Sequence, residues 1–465
     1  KRMISMSRIK DVKNYQFINS LYFKKEKMAD GTVVDDQLYI IYKDLNTKKK
    51  SIMKIPKPKM DIYVIKEEAE KDFYQSFVKK EDCEKLRVPF SDLTYQMCMI
   101  LDQMGIDVPN PVNENEYIKA TKWFYACLQN KMGRRLGQIH QHGNVFYSSD
   151  LDIEDFYKGK FLDKYGSNLN KLTKGFYDIE VDISRYDGGF PREEEAPCEV
   201  NALTFVYPET MECYTYLLRN SSNPLIQEFE NNLDEFKSRI SKEFADYGNY
   251  DYKIKLFNKE IDLIKNFFDD VNRLQPDFMC AYNAKFDIVT LVNRIIKLGF
   301  DPLDIVCHPD FDDLVCKYHF DYKHSAPEER NDWFECSSYS IWVDQYLFYT
   351  QLRKGLGKKD SYRLNDIAKD EIGDEKLDYS ESGSIGEMIL QDWDLFVRYN
   401  IKDVLLCAKL EEKNQDVTLF YTLADITRTR LFKAMKKTIS IKNLANKFYY
   451  DQGYIMGNNM NVKYV

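Results

Sequence analysis

Gly175-Phe176-Tyr177-Asp178-Ile179-Glu180-Val181-Asp182 reads as one β-strand with two unlike faces. Tyr177, Ile179 and Val181 fall on one side and Asp178, Glu180 and Asp182 on the other, because successive side chains of a strand alternate. Asp178 and Glu180 then share a face, roughly 7 Å apart at Cα. An apolar face suits a core, and paired carboxylates suit a hard divalent cation, which takes oxygen ligands. Taken alone, an Asp-Ile-Glu triplet is an ordinary solvated strand edge.

Working outward, residues 199–207 and 212–218 are further strand candidates separated by the turn-forming Pro208-Glu209-Thr210, so an antiparallel meander opens this domain. Residues 259–275 place Ile261, Ile264, Phe267, Phe268, Val271 and Leu274 at helical spacing, stopped by Pro276. A short apolar run, 278–282, follows. Helical spacing resumes at Ile288, Leu291, Val292, Ile295 and Ile296 until Gly299. Asn283-Ala284-Lys285-Phe286-Asp287 thus sits where a strand becomes a helix, and by itself is explained as a helix start, Asn capping and Asp favoured by the dipole. Farther on, residues 391–410 carry Trp393, Phe396, Val397, Val404, Leu405 and Ala408 at helical spacing. Tyr399 and Asp403, four apart, share one face of that helix. Several carboxylates converging in one place are what two-metal phosphodiester hydrolysis needs.

Composition narrows the alternatives. The 465-residue chain is longer than one ordinary domain. Its 67 Lys and Arg against 75 Asp and Glu give a net charge of -8, so any nucleic-acid contact must come from local basic stretches. No apolar run approaches the roughly 18 residues that span a bilayer, and the chain reads as soluble. Ten cysteines without a C-x-x-C pair fit reduced thiols in the cytoplasm, the host cell's if the source is viral. The opening Lys1-Arg2-Met3-Ile4-Ser5-Met6 has no signal-peptide apolar region, and the numbering is read as beginning inside a longer chain.

Three parts are expected. Residues 1–150 form an α+β N-terminal domain, with alternating strands over 15–65 around the turn Ala29-Asp30-Gly31-Thr32, a helical stretch at 115–132 and the basic Lys131-Met132-Gly133-Arg134-Arg135. Residues 151–412 form the second domain, with the acidic stretch 150–155 as a connector. Residues 413–465 are a basic, helix-prone tail carrying Arg428, Arg430, Lys433, Lys436 and Lys437.

The three acidic clusters, in this order, resemble the Exo I (D-x-E), Exo II (N-x(2,3)-F-D) and Exo III (Y-x(3)-D) motifs of the 3′→5′ exonuclease domain of family B DNA polymerases, in a bacteriophage-like form. Phe190-Pro191 is similar to that family's Phe-Pro after Exo I. Trp342-Val343-Asp344-Gln345-Tyr346-Leu347 and Ser361-Tyr362-Arg363-Leu364-Asn365-Asp366-Ile367-Ala368 are similar to its segment between Exo II and Exo III. The resemblance covers residues 174–410. Two residues rather than the commoner three separate Asn283 from Phe286, a spacing shared with protein-primed polymerases and other exonucleases of the superfamily.

The resemblance implies a mixed α/β fold of the RNase H-like kind, a mixed sheet flanked by helices. It implies that Asp178, Glu180, Asp287 and Asp403 bind two Mg²⁺ or Mn²⁺ ions, with Tyr399 and Glu180 orienting the attacking water. It further implies DNA, as a single-stranded 3′ end or primer-template, contacted by Phe190, Asn283, Phe286 and, from a basic loop, Lys354. No D-x-x-S-L-Y-P or Y-x-D-T-D is found, so the expectation is the proofreading half of a replicative polymerase. Its palm, fingers and thumb would lie in the rest of the chain or in a second subunit, with replisome proteins as further partners. A free-standing single-strand repair exonuclease and a non-catalytic DNA- or replisome-binding scaffold are the alternatives; four intact acids speak against the scaffold, which has no need of clustered carboxylate repulsion. Asn443-Leu444-Ala445-Asn446-Lys447-Phe448-Tyr449 is only faintly similar to the polymerase finger helix, and Cys307, His308, Cys316, His319 and His324 match no common zinc spacing.

Overall fold

The computed structural model describes residues 14–27, 32–66, 77–93, 96, 99, 100, 103, 146–148, 151–169, 171–220, 223–357 and 359–457. The turn at 29–31, the helical stretch at 115–132 and the basic 131–135 lie outside them. Two compact units emerge, Asn170–Thr422 and a second made of Lys1–Leu169 with Leu423–Val465.

In the unit formed by both ends of the chain, strands Tyr15–Phe23, Gln37–Asp44 and Lys50–Pro56 make an antiparallel sheet. Strand Lys59–Ile65 pairs with Cys83–Pro89 and Phe146–Tyr147 in another. Phe17, Leu38, Ile40, Met60, Ile62 and Phe161 lie in their common core. The sequence division drew its boundaries elsewhere. Residues 150–155, read as a connector, contain the N-cap of helix Ile153–Tyr165: the Asp152 carboxylate accepts from the Glu154 and Asp155 amides. The basic tail packs on this acidic helix start. Arg430 pairs with Glu154 and Lys433 with Asp152, while Arg428 Nη2 lies 2.7 Å from Asp163 Oδ1. Strand Tyr454–Met456 then adds antiparallel to Phe77–Lys79. Asn443 donates to Asp155 Oδ2 at 3.0 Å and Thr429 Oγ1 at 3.1 Å, which gives this false finger-helix residue a structural task.

The unit Asn170–Thr422 is built on an eight-stranded mixed sheet. In chain order the elements used below are β1 (Lys174–Val181), β2 (Val200–Tyr207), β3 (Glu212–Leu218), β4 (Asp251–Phe257), α1 (Glu260–Leu274), β5 (Phe278–Ala281), α2 (Ala284–Lys297), β6 (Cys316–His319), β7 (Trp333–Cys336), β8 (Ile341–Asp344), α3 (Gln345–Arg353), α4 (Leu364–Ile372), α5 (Ile385–Gln391) and α6 (Trp393–Asn414), with further helices at Pro224–Asn231, Leu233–Glu243 and Pro302–Val306. The spatial order is β4-β3-β2-β1-β5-β8-β7-β6. β1 and β2 are antiparallel, as are β2 and β3, whereas β5 lies parallel to both β1 and β8. This is the mixed α/β architecture that the sequence implied, with helices covering the sheet.

Tyr177, Ile179 and Val181 of β1 enter a core with Leu203, Phe205, Phe267, Phe268, Ile288 and Leu291. The opposite face of β1, carrying Asp178 and Glu180, is covered by α6. Strand alternation has thus become a division between core and site. At the end of β1 the pairing slips: Glu180 faces Ala202 but Val181 faces Val200, so Asn201 is the extra residue of a β-bulge beside Glu180. Arg294 of α2 clamps Glu260 at the start of α1, with Nε to Oε1 at 2.7 Å and Nη2 to Oε2 at 2.5 Å, and also donates to the Ala196 carbonyl. Such a buried bidentate pair locks α1, α2 and the segment after β1 into one arrangement.

Among the described residues no helix is long and apolar enough to cross a membrane. Eight described cysteines are free thiols, seven of them buried.

Candidate metal and nuclease centre

Asp178, Glu180 and Asp403 bring carboxylate oxygens within 4.8 Å of one another, the one such metal-ligating group among the described residues. β1 supplies the first two, and α6, lying across that face, supplies the third. Asp403 is 3% exposed, and Asp287, in the first turn of α2, is equally buried. Asp287 stands outside the tight trio but near enough for Asp178 and Glu180 to act on its charge. The structure therefore assembles all four acids singled out in the sequence, from two strand positions and two helix positions that are up to 225 residues apart.

Crowding and burial hold protons on this cluster. Burial, then the Asp403 charge, pushes the Asp178 carboxyl up to about 7. Burial, then Asp178 and Asp403, holds Glu180 well above the usual carboxylate range, and burial with Asp178, Asp344 and Glu180 does the same to Asp287. Burial also raises Asp403, where Lys376 acts in the opposite direction.

Lys376 is the main residue that the sequence reading missed. Its Nζ lies 2.5 Å from Asp403 Oδ2 and 3.1 Å from the Tyr399 hydroxyl. Burial opposes its charge, but Asp403, Tyr399 and Asp178 hold the ammonium well above its ordinary value. The loop bearing it is fixed on both sides: Asn365 Oδ1 accepts from the Lys376 amide at 2.9 Å, and Lys402 Nζ reaches Asp374 Oδ1 at 2.9 Å. A second omission is Asn400, whose Nδ2 donates to Asp178 Oδ2 at 3.0 Å and so ties α6 to β1. The signal for Asn400 lay inside the quoted Tyr-Asn-Ile-Lys-Asp stretch, but a lone lysine in an acidic loop gives none.

The remaining candidates separate. Tyr399 is buried one helical turn before Asp403, its ring edge-on to Tyr379, and burial followed by Asp403 raises its phenol so that it stays protonated. Asn283 precedes α2 in a left-handed conformation (φ 70°, ψ 51°), and its side chain makes no cap hydrogen bond, unlike the ordinary helix cap it resembles in sequence. Phe190 is 76% exposed and packs against Phe286, ring centroids 5.1 Å apart. Lys354 is half exposed and engaged with Glu329 Oε1 at 2.8 Å.

The donor set fits hard divalent cations. Carboxylate oxygens are their preferred ligands, and Asp287 Oδ2 and Asp403 Oδ1 are buried with no hydrogen-bond partner. A buried carboxylate oxygen left unpaired is costly, and a cation removes that cost. The raised carboxyls also fix the sign of a pH effect. A carboxyl such as Asp178, raised from 3.8 to about 7 on folding, contributes stability that is complete below about pH 3.8 and is lost as pH rises through about 7. The chelated protein is therefore expected to melt at falling temperature from pH 5 to pH 8, and Asp178→Asn to flatten that decline. Thermal unfolding in chelator checks this; equal slopes in both proteins would contradict it.

Residues 214–367 match the family model of the DNA polymerase family B exonuclease domain, a span that includes Asp287, the Trp342–Leu347 segment and all but the last residue of the Ser361–Ala368 segment. The DNA polymerase of Bombyx mori nuclear polyhedrosis virus is 22% identical over 182 residues, 37% of this chain and 17% of that protein. The DNA polymerase of Autographa californica nuclear polyhedrosis virus is 24% identical over 170 residues, 34% of this chain and 16% of that protein. The aligned part spans about a sixth of the length of these relatives. Residues 214–367 are thus similar to the exonuclease domain of family B DNA polymerases.

Proposed function

We propose that this family B exonuclease region removes mispaired nucleotides from the 3′ end of DNA by two-metal hydrolysis, as the proofreading portion of a replicative DNA polymerase. The observation that carries the reading is the convergence of Asp178 and Glu180 of β1 with Asp403 of α6, with Asp287 of α2 near enough for their charges to act on it. Asp178, Glu180, Asp287 and Asp403 hold two divalent cations, Mg²⁺ or Mn²⁺. When bound, the cations supply positive charge for the attacking water and the departing 3′ oxygen.

The chain's own residues supply position. Glu180 and the protonated Tyr399 hydroxyl orient the water so that its oxygen meets the terminal phosphorus opposite the leaving oxygen. One P–O bond forms as the other breaks, the water gives up a proton, and the strand is left with a new 3′ hydroxyl and a released 5′-mononucleotide. Phe190, backed by Phe286, offers a stacking face for the terminal base, which is sequence-tolerant, as an editing site requires. The Asn283 turn lies beside that strand end. A phosphate contact by Lys354 requires it to leave Glu329.

Synthesis would fall to palm, fingers and thumb elsewhere in the same polypeptide or in a second one, with replisome proteins docking around them. The free, mostly buried thiols support work in the reducing cytoplasm, the host's if the source is viral. The test is digestion of a single strand labelled at either end. Release of labelled mononucleotide from the 3′ label first, only with Mg²⁺ or Mn²⁺, is expected; release from the 5′ label first would overturn the reading.

A further inference from the structure

Asp344 closes β8, next to β5, where the parallel register sets it against Ala281, two residues before Asn283. It is almost wholly buried. A single oxygen, Oδ1, accepts from the Tyr346 amide at 2.9 Å and the Leu347 amide at 3.4 Å, capping α3. The same oxygen accepts from the Asn283 amide at 3.2 Å. That third bond is not part of any cap. It crosses to the next strand and reaches the one residue at the start of α2 whose backbone is left-handed.

φ 70° lies in the left-handed region, which Asn enters more readily than other non-glycine residues. Its own side chain makes no cap hydrogen bond. α2 begins directly from this turn and carries Asp287 one turn later. The Asp344 charge also acts on Asp287.

We infer that Asp344 is a positioning residue, which holds the Asn283 turn left-handed and so sets where Asp287 joins Asp178, Glu180 and Asp403. The inference rests on the nuclease reading for its consequence, but not for its geometry. Residues that orient metal-binding side chains through hydrogen bonds commonly change metal affinity about 10–100-fold when removed. An acceptor oxygen is what the turn needs; the charge is not.

The experiment uses the whole chain and its Asp344→Ala and Asp344→Asn variants. Mn²⁺ binding is followed by electron paramagnetic resonance and amide exchange at Asn283 by mass spectrometry or NMR. Asp344→Ala is expected to weaken Mn²⁺ binding about tenfold or more and to expose the Asn283 amide, while amides of β1 stay protected. Asp344→Asn, which keeps Oδ1 as an acceptor, should restore most of both. On DNA, kcat and the Mn²⁺ requirement should change while KM does not. Wild-type Mn²⁺ affinity and unchanged Asn283 exchange in Asp344→Ala would overturn the inference, as would an Asp344→Asn variant no better than Asp344→Ala. Failure of the wild-type chain to digest any strand would instead refute the nuclease reading, and the binding and exchange measurements would still decide the role of Asp344.

Discussion

Replacing both β1 acids, Asp178→Ala with Glu180→Ala, is expected to abolish 3′-end digestion, with a loss of at least about a thousandfold in kcat. The double variant removes two of the three carboxylates that meet within 4.8 Å, so neither cation keeps an adequate ligand set. It is not expected to unfold. Both side chains stand on the face of β1 away from the Tyr177, Ile179 and Val181 core, and removing them relieves repulsion that now holds protons on the cluster. The chelated double variant should therefore melt at or above the wild-type temperature at pH 8, which separates lost chemistry from lost folding. Digestion at the wild-type rate would show that the site lies elsewhere.

Lys376→Ala is expected to make the fold depend on metal. With no cation bound, this ammonium is the positive charge hydrogen-bonded to Asp403, itself almost fully enclosed. Breaking a largely buried ion pair leaves an uncompensated carboxylate and costs on the order of 3 kcal/mol. For a unit of this size that lowers the melting temperature by roughly 5–10 °C. Saturating Mg²⁺ replaces the missing charge, so most of the loss should vanish when the ion is added. Activity should fall as well, since Lys376 also donates to the Tyr399 hydroxyl, which we propose orients the water. Melting curves with chelator and with Mg²⁺ check both parts; equal losses in the two conditions would contradict the charge argument.

The legible parts of the fold were those written in local periodicity. Alternation along β1 placed Asp178 and Glu180 on one face, the 3.6-residue period of 259–275 gave α1, and the four-residue step from Tyr399 to Asp403 put both on one side of α6. The apolar run after Pro276 became β5, so Asp287 does enter from a strand-to-helix turn. What stayed hidden depends on pairing between distant segments. Nothing in residues 251–257 says that this strand lies parallel to β3 at the sheet edge. The partners of the tail's basic residues stayed hidden because Glu154 and Asp152 are some 280 residues earlier. Lys376 carries no period and no motif of its own, and the family-like segment around Asp344 assigned that residue no task; their roles arise only when α6 and β5 bring Asp403 and Asn283 to them.

The central claim is that four acids from β1, α2 and α6 form one two-cation site, and counting bound Mn²⁺ by equilibrium binding tests it most directly. Two ions per wild-type chain are expected, with both lost or greatly weakened in the Asp178→Ala, Glu180→Ala double variant. Unchanged Mn²⁺ stoichiometry and affinity in that variant would contradict the account.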